Sequence, residues 1–282
     1  MTTEAQTRDG IFPMEAEAYH ADKSAWSNSM LKDFRRRKSA CYERHILGTA
    51  PEFETTPAMR LGTATHAALL EPDRIEDLFA IYPDSILSSN GAASTKEAKA
   101  FRDVQEQFGR LVMKASEMDA VRAMVASVTA KIGQWLTHDA KIEHAIYWTD
   151  EETGVRCKCR PDFLCLKPGF ALTLDLKTTS DCSPDEFRRK VETMSYWLQD
   201  AHYSAGIKAA TGLDPMFLFV AVENEWPFDC AVYEIEPNDR SKSRITRAYT
   251  LTQIAAAQAS NDWNDRWLLD VNRLSLKPWI YE

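Results

Sequence analysis

The sequence predicts an α/β fold, in which a central mixed β-sheet is flanked by helices and the N-terminal half is helical. Two observations indicate this. Apolar residues recur at helical spacing up to about residue 140, and from Glu143 onward short apolar runs alternate with turn residues. The chain has 282 residues and no visible internal repeat. We therefore expect a flexible arm (1–26) and one domain (27–282), with a helical part (27–140), an α/β core (141–260) and a C-terminal tail (261–282).

The N-terminal half is predicted to be helical after the polar arm. Ser27 is suited to cap a helix that ends in the basic run 35–38. Small residues at 61–70 predict a second helix, closed by Glu71 and Pro72. Residues 75–95 are expected to be irregular, and residues 96–136 are expected to form two helices that break near Ser116.

The C-terminal half is predicted to supply the sheet. Apolar runs predict five strands, at residues 145–149, 155–166, 170–177, 216–223 and 228–235. The first two read as a hairpin. Ser183, Pro184 and Glu186 form a helix start with an N-cap, a first-position proline and a capping-box glutamate. We expect that helix to reach about residue 210, and a last helix to cover residues 240–259.

Composition disfavours several classes of protein. The chain has 34 Lys and Arg against 42 Asp and Glu, a net charge of −8. That count by itself disfavours a nucleic-acid partner, because phosphate binding draws on clustered cations. The longest apolar run has seven residues (216–222), whereas a transmembrane helix needs roughly 18. The polar N-terminus does not resemble a signal peptide. We expect a cytoplasmic protein with no membrane partner and with its six cysteines reduced.

Charged residues cluster on the predicted strands of the core. Asp175 and Lys177 are two apart and so share one face of their strand. A short turn at 167–169 can place Asp162, on the preceding strand, beside Asp175. One face of that preceding strand is predicted to carry Arg156, Lys158, Arg160 and Asp162, and the other Val155, Cys157 and Cys159. An isolated Asp-x-Lys is usually an ion pair at a strand end, but a second carboxylate beside it favours a function.

Two carboxylates held close together repel each other unless a cation lies between them. Oxygen-rich clusters suit Mg²⁺ or Mn²⁺, and such ions polarise a phosphoryl oxygen and acidify water. Lys177, on the same face, can orient that water and stabilise transition-state charge. The residues therefore indicate phosphodiester hydrolysis.

The same residues resemble the motif of the PD-(D/E)XK nuclease superfamily, as Pro161-Asp162 followed by Asp175-x-Lys177. The sequence is more narrowly similar to the phage-type exonuclease VIII (RecE-like) group, related to the RecB-type nucleases. Further matches, in the expected order, are Ser27-Asn28-Ser29-Met30-Leu31-Lys32, Gly62-x-x-x-His66 with Leu70-Glu71-Pro72, Glu143 with Trp148, and Gln199-x-x-x-Tyr203. The resemblance implies a restriction-endonuclease-like core. Some relatives carry an iron–sulfur cluster, but no cysteine follows Cys230 here, so we expect none.

The resemblance also implies roles for single residues. Metal ligands would be His66, Asp162, Asp175 and the carbonyl of Leu176, and Lys177 would be the catalytic lysine. Glu143 would bind a second metal or the metal's water, unless it is a solvated carboxylate at a strand start. Gln199 and Tyr203, with Tyr196 on the same helix face, would position DNA or the lysine, or form a polar helix edge. Thr178 would bind phosphate or simply end its strand.

Basic residues outside the motif are candidates for contacts with DNA phosphates. They are Arg35, Arg36, Arg37, Lys38, Arg160, Arg188 and Arg189, with Lys190 beside the last two. A basic run is more often a solvated face. Trp263, Trp267 and Trp279 could form a subunit contact, but burial on the core is the simpler expectation.

The function implied by the resemblance is that of a metal-dependent deoxyribonuclease. It would be a processive 5′ to 3′ exonuclease on double-stranded DNA ends that uses Mg²⁺ or Mn²⁺ and leaves 3′ single strands for recombination. The resemblance also implies a ring-like homo-oligomer and a single-strand annealing protein as partner. Alternatives are an endonuclease or Cas4-like nuclease with the same site, or a non-catalytic DNA-binding scaffold on a degenerate fold. The presence of Asp162, Asp175 and Lys177 disfavours the scaffold.

Overall fold

The structure is a computed structural model that describes residues 8–51, 55–137, 139–268 and 271–281. Its α-helices are α1 (Ala16–Ala21), α2 (Asn28–Arg36), α3 (Lys38–Cys41), α4 (Pro57–Leu70), α5 (Ile75–Leu78), α6 (Lys96–Gln107), α7 (Ala115–Ile132), α8 (Pro184–Thr193), α9 (Tyr196–Thr211) and α10 (Pro237–Ser260). Its strands are β1 (Gly10–Pro13), β2 (Phe79–Ile81), β3 (Leu111–Met113), β4 (Lys141–Ile142), β5 (His144–Thr149), β6 (Arg156–Cys159), β7 (Phe163–Lys167), β8 (Phe170–Thr179), β9 (Met216–Glu223) and β10 (Cys230–Tyr233).

A five-stranded mixed sheet lies at the centre, in the order β10-β9-β8-β7-β4. Strands β8 and β9 are parallel, while the other neighbours are antiparallel. Parallel neighbours require a crossover, which α8 and α9 supply. The predicted α/β class, with a mixed sheet flanked by helices, is confirmed.

Helices cover both faces of this sheet. Leu174, Leu176 and Val220 face a cluster that contains residues of α4 and α7. On the opposite face, Phe217 and Phe219 pack with residues of α8 and α9. This alternation follows the period of two along a strand. Because both faces are covered, chemistry that needs solvent must take place at the sheet's edge or at its strand ends.

The predicted strand at 155–166 is in fact two strands in different sheets. Strand β6 pairs with β5 in a three-stranded sheet that also contains β1, whereas β7 pairs with β8. Arg160, Pro161 and Asp162 lie between them. Proline has no N–H to donate to a ladder, so the strand breaks there. The predicted alternation of faces therefore does not continue to Asp162, which lies in the connection.

The expectation of a flexible arm is wrong from Gly10 onward. Strand β1 pairs along β5, and Tyr19 in α1 is buried. The Tyr147 hydroxyl donates to Asp22 Oδ2 at 2.7 Å, and Lys158 Nζ donates to the Asp22 carbonyl at 2.6 Å. These contacts make the segment part of the three-stranded sheet. Residues 1–7 lie outside the described residues.

Several predicted boundaries shift. Helix α4 begins at Pro57 because Thr56 caps it, accepting from Met59 N at 3.3 Å. The expected break near Ser116 lies before α7, where β3 is inserted, and the stretch 75–95 includes α5 and β2. The expected helix at 183–210 divides into α8 and α9 at Ser195, whose φ of 54° interrupts helical geometry.

The six cysteines are free thiols, and Cys157 and Cys159 are buried in the core as expected. Among the described helices, none combines the length and the apolar character that crossing a membrane requires.

Candidate metal centre

Asp162 lies at the edge of the five-stranded sheet, immediately before β7. Phe163 pairs with Leu174, so Asp162 stands opposite the C-terminal part of β8. Its Oδ2 accepts a hydrogen bond from Leu176 N at 2.8 Å. The sequence placed Asp162 beside β8 correctly, although the connecting chain is a strand break and not a continuous strand.

His66 reaches the same point from α4, 110 positions before Leu176 in the sequence. Gly62, one turn earlier in that helix, allows a close approach, because a Cβ there would lie 3.1 Å from Thr178 Oγ1. His66 Nε2 lies 3.0 Å from the Leu176 carbonyl oxygen, and its Nδ1 lies 3.3 Å from Asp162 Oδ2. Two of the predicted ligands, His66 and Leu176, therefore meet Asp162.

These imidazole contacts cannot both be hydrogen bonds when His66 is neutral. Neutral imidazole donates from one nitrogen and presents a lone pair on the other, while both neighbours here are oxygen acceptors. One nitrogen therefore faces an oxygen lone pair in either tautomer. A metal cation bound at that nitrogen would remove the repulsion, so the arrangement is compatible with a cation site.

Glu143 completes the group from the residue before β5. Its backbone has a φ of 53°, and its N–H donates to the Asp162 carbonyl at 3.1 Å. Its carboxylate forms an ion pair with Arg160, whose Nε donates to the Met14 carbonyl at 3.3 Å. Burial raises the pKa of Glu143 to about 8, the Asp162 carboxylate adds to this, and Arg160 opposes it. Ligand atoms of His66, Glu143 and Asp162 lie within 4.8 Å of one another.

Asp175 and Lys177 form a second unit next to this group. Asp175 is 1% exposed; its Oδ1 accepts from Gln199 Nε2 at 2.5 Å, and its Oδ2 forms an ion pair with Lys177. Burial raises the pKa of Asp175 to about 6, against the effect of Lys177. Burial disfavours the charged form of Lys177, but Asp175 and Asp162 outweigh it and raise that pKa. A direct metal bond from Asp175 stays a prediction.

The predicted face of α9 lies against the sheet. The Tyr196 ring lies 4.7 Å from Lys177 Nζ, Gln199 holds Asp175, and Tyr203 packs edge-on against Phe217 with ring centroids 6.2 Å apart. Tyr196 and Gln199 therefore fix the Asp175–Lys177 pair, while Tyr203 lies further along the sheet.

Most of the predicted DNA-binding cations contact their own chain. Arg35 donates to Thr250 Oγ1 at 3.2 Å, Arg37 lies over Trp267, and Lys38 Nζ donates to the Asp262 carbonyl. On α8, Arg188 and Arg189 form ion pairs with Asp185 and Glu186, and Lys190 Nζ donates to Thr179 Oγ1. Arg36 is exposed. Arg160 organises Glu143. Contacts of these residues with DNA stay a prediction.

The sequence matches a family described as a PDDEXK-like domain of unknown function (DUF3799) over residues 27–266. That match covers most of the chain. The chain belongs to this PDDEXK-like family.

One solved structure shares the overall fold of this chain. This PDDEXK-like chain superposes on the crystal structure of a presumed exonuclease from Eubacterium rectale with a TM-score of 0.62 and 16% identity, covering 95% of this chain and 96% of that one. At that identity the likeness shows the fold alone. The crystal structure of the protein SSO0001 is similar over 80% of this chain and 85% of its own, with 15% identity and a TM-score of 0.30, which carries no argument. A comparison with curated proteins gave no match.

Two further residues of the PDDEXK-like site received no role from the sequence. Lys32 in α2 lies close enough to Lys177 for the two ammonium charges to interact, and after burial this is the main cause that lowers the pKa of Lys32. Glu71, at the end of α4, adds to the rise in the pKa of Glu143 and is held by Arg74 at 2.9 Å. Lys32 lies in the Ser-x-Ser-x-Leu-Lys segment and Glu71 in the Leu-Glu-Pro segment, so the family resemblance offered a signal for both residues.

Proposed function

We propose that the protein is a metal-dependent deoxyribonuclease that hydrolyses phosphodiester bonds. One observation carries this proposal: ligand atoms of His66, Glu143 and Asp162 converge within 4.8 Å, beside an ammonium group held by a carboxylate. The ligand set is oxygen-rich with one imidazole, which suits Mg²⁺ or Mn²⁺. His66, Glu143, Asp162 and the Leu176 carbonyl would hold the cation. Once bound, it would polarise the phosphoryl group and offset charge on the leaving oxygen.

Gln199, Asp175 and Tyr196 hold the Lys177 ammonium group in place. Gln199 fixes one oxygen of Asp175, and the other binds Lys177. The Tyr196 ring supports the Lys177 ammonium from one side. An ammonium held in this way loses little entropy when it contacts a phosphoryl oxygen, so its stabilisation of transition-state charge is pre-organised. Lys177 therefore acts on the phosphate, and Asp175 and Gln199 position Lys177.

The finer function that we propose is a processive 5′ to 3′ exonuclease acting on double-stranded DNA ends in the cytoplasm, leaving 3′ strands for recombination. Its support is the resemblance to the exonuclease VIII group and a structural neighbour that is named as a presumed exonuclease. A ring-like homo-oligomer and a single-strand annealing protein as partner rest on the resemblance alone.

The activity is tested by digestion of linear duplex DNA with and without Mg²⁺. Asp162→Ala and Lys177→Ala should each abolish Mg²⁺-dependent digestion, to less than about a thousandth of the wild-type rate. Asp119→Ala and Lys208→Ala are matched controls, because both side chains are exposed ion-pair members away from the centre. Wild-type activity in either site variant would contradict the assignment of the site.

The finer proposal is tested with substrates that separate the alternatives. Duplex labelled at the 5′ or the 3′ end should release the 5′ label first, and closed-circular DNA should stay intact. Cleavage of the circle would instead indicate an endonuclease or a Cas4-like nuclease. Calorimetric titration with Mn²⁺ tests the scaffold alternative: a stoichiometric site lost in Asp162→Ala argues against it, and no binding by the wild type supports it.

A further inference from the structure

A groove of about 570 Å³ opens between α8, the end of β10 and the start of α10. Its apolar lining consists of Phe187, Val191, Trp197, Phe219, Tyr233 and Ile235. Trp197 and Tyr233 are partly exposed in this lining, whereas Phe187 and Phe219 are buried. Partly exposed aromatic rings are common at the centres of protein interfaces. None of the metal-centre residues lines it, so the groove is a separate surface.

The rim of the groove is acidic. Glu192, Glu234, Glu236 and Asp239 line it, against Arg188 and Lys242. Arg188 pairs with Asp185 outside the rim, Lys242 pairs with Asp239, and Glu234 pairs with Arg240, so among the described residues Glu192 and Glu236 are the rim carboxylates outside these ion pairs. The rim therefore favours an apolar occupant that carries positive charge.

The C-terminal part of this chain combines apolar and basic side chains, as such an occupant requires. Up to Asp265 it is docked: Trp263 is 8% exposed and stacks on Trp26, and Asp265 accepts from Ser39 and from Lys38 N. From residue 271 onward its apolar side chains are exposed: Val271 97%, Leu274 87%, Leu276 54%, Trp279 62% and Ile280 58%.

The expectation that Trp263, Trp267 and Trp279 are buried on the core holds only in part. Trp263 is buried, as predicted, but Trp267 at 53% and Trp279 at 62% are not. The charged residues within 271–281 are Arg273 and Lys277, both basic, and the sequence places Asp270 and Glu282 directly beside this segment. We refer to residues 271–281 as the apolar tail. It combines five exposed large apolar side chains with two basic side chains, Arg273 and Lys277, which are opposite in sign to Glu192 and Glu236 on the rim of the groove.

We propose that the apolar tail of one copy docks into the groove of a second copy. Soluble proteins rarely leave so many neighbouring apolar side chains in water, and within one chain neither the tail nor the groove covers the other. Complementary surfaces that one chain leaves exposed can pair between chains, as a head-to-tail contact in which each copy gives a tail and receives one. Tail and groove use different residues, so the contact repeats from copy to copy.

The proposal is tested first by the molar mass of the full chain, measured by light scattering after size exclusion over a range of concentrations. The wild type should exceed the 32.0 kDa of one chain, with mass rising with concentration. Trp279→Ala with Ile280→Ala should weaken association at least tenfold. Because both residues are exposed, folding should be unaffected, which the thermal midpoint checks. A wild type that is monomeric throughout, or a tail variant that associates as the wild type does, overturns the proposal.

Charge reversal tests the pairing of the two surfaces. Arg273→Glu with Lys277→Glu in the tail, or Glu192→Lys with Glu234→Lys on the rim, should each reduce the association constant at least tenfold. The four changes together should restore association, because the charges are complementary again. Weakening by either pair with no recovery in the combination would show that the two surfaces do not face each other, and so would overturn the proposal.

Cysteine cross-linking separates the second copy from other occupants. Lys277→Cys with Glu192→Cys should form covalent dimers and higher species under mild oxidation on a non-reducing gel. The native cysteines interfere little, since five of the six are buried. Lys277→Cys with Arg122→Cys, on α7, is the matched control and should not cross-link above background. A cross-link found only within one chain, or equal cross-linking in the control, overturns docking between copies.

Discussion

Protons and the proposed metal cation would compete for the carboxylates of the candidate centre. Burial and Asp162 raise the pKa of Glu143 to about 8, and burial raises that of Asp175 to about 6. A raised carboxyl pKa means that the folded chain binds protons more tightly than the unfolded chain does. Glu143 therefore favours folding of the metal-free protein at low pH, and this contribution is lost as the pH rises through about 8. A bound cation would replace the proton in compensating the carboxylate charge.

The first prediction is that metal affinity rises with pH. Mn²⁺ should bind more tightly at pH 8 than at pH 6.5, by up to about tenfold per pH unit where one proton is released. Calorimetry in two buffers of different ionisation enthalpy measures both the affinity and the protons released. Glu143→Gln should bind Mn²⁺ more weakly and release fewer protons, whereas Glu152→Gln, in the exposed β5–β6 turn, should behave as the wild type. Equal affinity at both pH values would contradict the prediction.

The residues of this site differ in how far the sequence could predict them. Asp162 and Asp175 are close in the chain and flank an antiparallel turn, so strand geometry alone predicted that they lie side by side. His66 comes from a distant helix, and only the resemblance suggested it. The ion pair of Glu143 with Arg160 was missed, because the break at Pro161 turns Arg160 away from a regular strand. Side-chain partners at such a break depend on packing that no local pattern records.

At the scale of elements, the approach of α4 to β8 sets the distance from His66 to Leu176. Gly62 permits this approach, since a Cβ there would lie 3.1 Å from Thr178 Oγ1. Alanine in a helix interior is favoured over glycine by about 1 kcal/mol. Replacing Gly62 by alanine should therefore stabilise the helix but push α4 away from β8 and disturb the site.

We predict that Gly62→Ala lowers Mn²⁺ affinity severalfold while leaving the thermal midpoint equal or higher. Adding Thr178→Ala should recover the affinity, because it removes the atom that the new Cβ meets. Thr63→Ala, exposed on the same helix, is the control. If the affinity of Gly62→Ala equals that of the wild type, Gly62 does not set the approach of α4.

A second glycine fixes α9 against the three-stranded sheet. A Cβ at Gly206 would lie 2.5 Å from Trp148 Cζ3, and Trp148 is 2% exposed. The indole cannot move away freely, because it also packs at 4.9 Å against the His202 ring. Burial lowers the pKa of His202 to about 3, so the imidazole that packs against Trp148 is uncharged at physiological pH.

Gly206→Ala should destabilise the protein by about 1–3 kcal/mol, the usual cost of overpacking a core. Urea unfolding followed by tryptophan fluorescence measures the change, with Lys208→Ala on the exposed side of α9 as the control. An unchanged unfolding midpoint would mean that α9 and β5 can separate at little cost.

For the whole molecule, local patterns predicted the fold class but not how the chain divides between sheets. The short apolar stretch 10–13 lies in a polar segment and gave too little signal for a strand. It is ordered by partners more than a hundred residues away, since β1 pairs with β5 and Lys158 holds the carbonyl oxygens of Tyr19 and Asp22. Pro161 did carry a signal for the division of residues 155–166, because proline is rare inside a paired strand.

The net charge of the whole chain affects how it would bind DNA. A net charge of −8 repels DNA over distances comparable to the Debye length, roughly 8 Å at physiological salt. The basic run 35–38 keeps its charge, because the partners of Arg35, Arg37 and Lys38 are a hydroxyl, an indole ring and a carbonyl oxygen, but these contacts engage the side chains within the fold. A cation at the metal centre would neutralise its carboxylates and offer positive charge to a phosphate. DNA binding should therefore depend more on the metal than it does in a basic protein.

We predict that Lys177→Ala, which keeps the proposed ligands but not the lysine, binds duplex DNA at least tenfold more tightly in Mg²⁺ than in EDTA. Fluorescence anisotropy with labelled linear duplex measures this without digestion, and ionic strength is matched because phosphate contacts depend on salt. Adding Asp162→Ala should remove the difference between Mg²⁺ and EDTA, since the centre then loses a ligand. Equal affinity of Lys177→Ala in both buffers would mean that surface cations alone hold the DNA, and that net charge indicates little about this protein's partner.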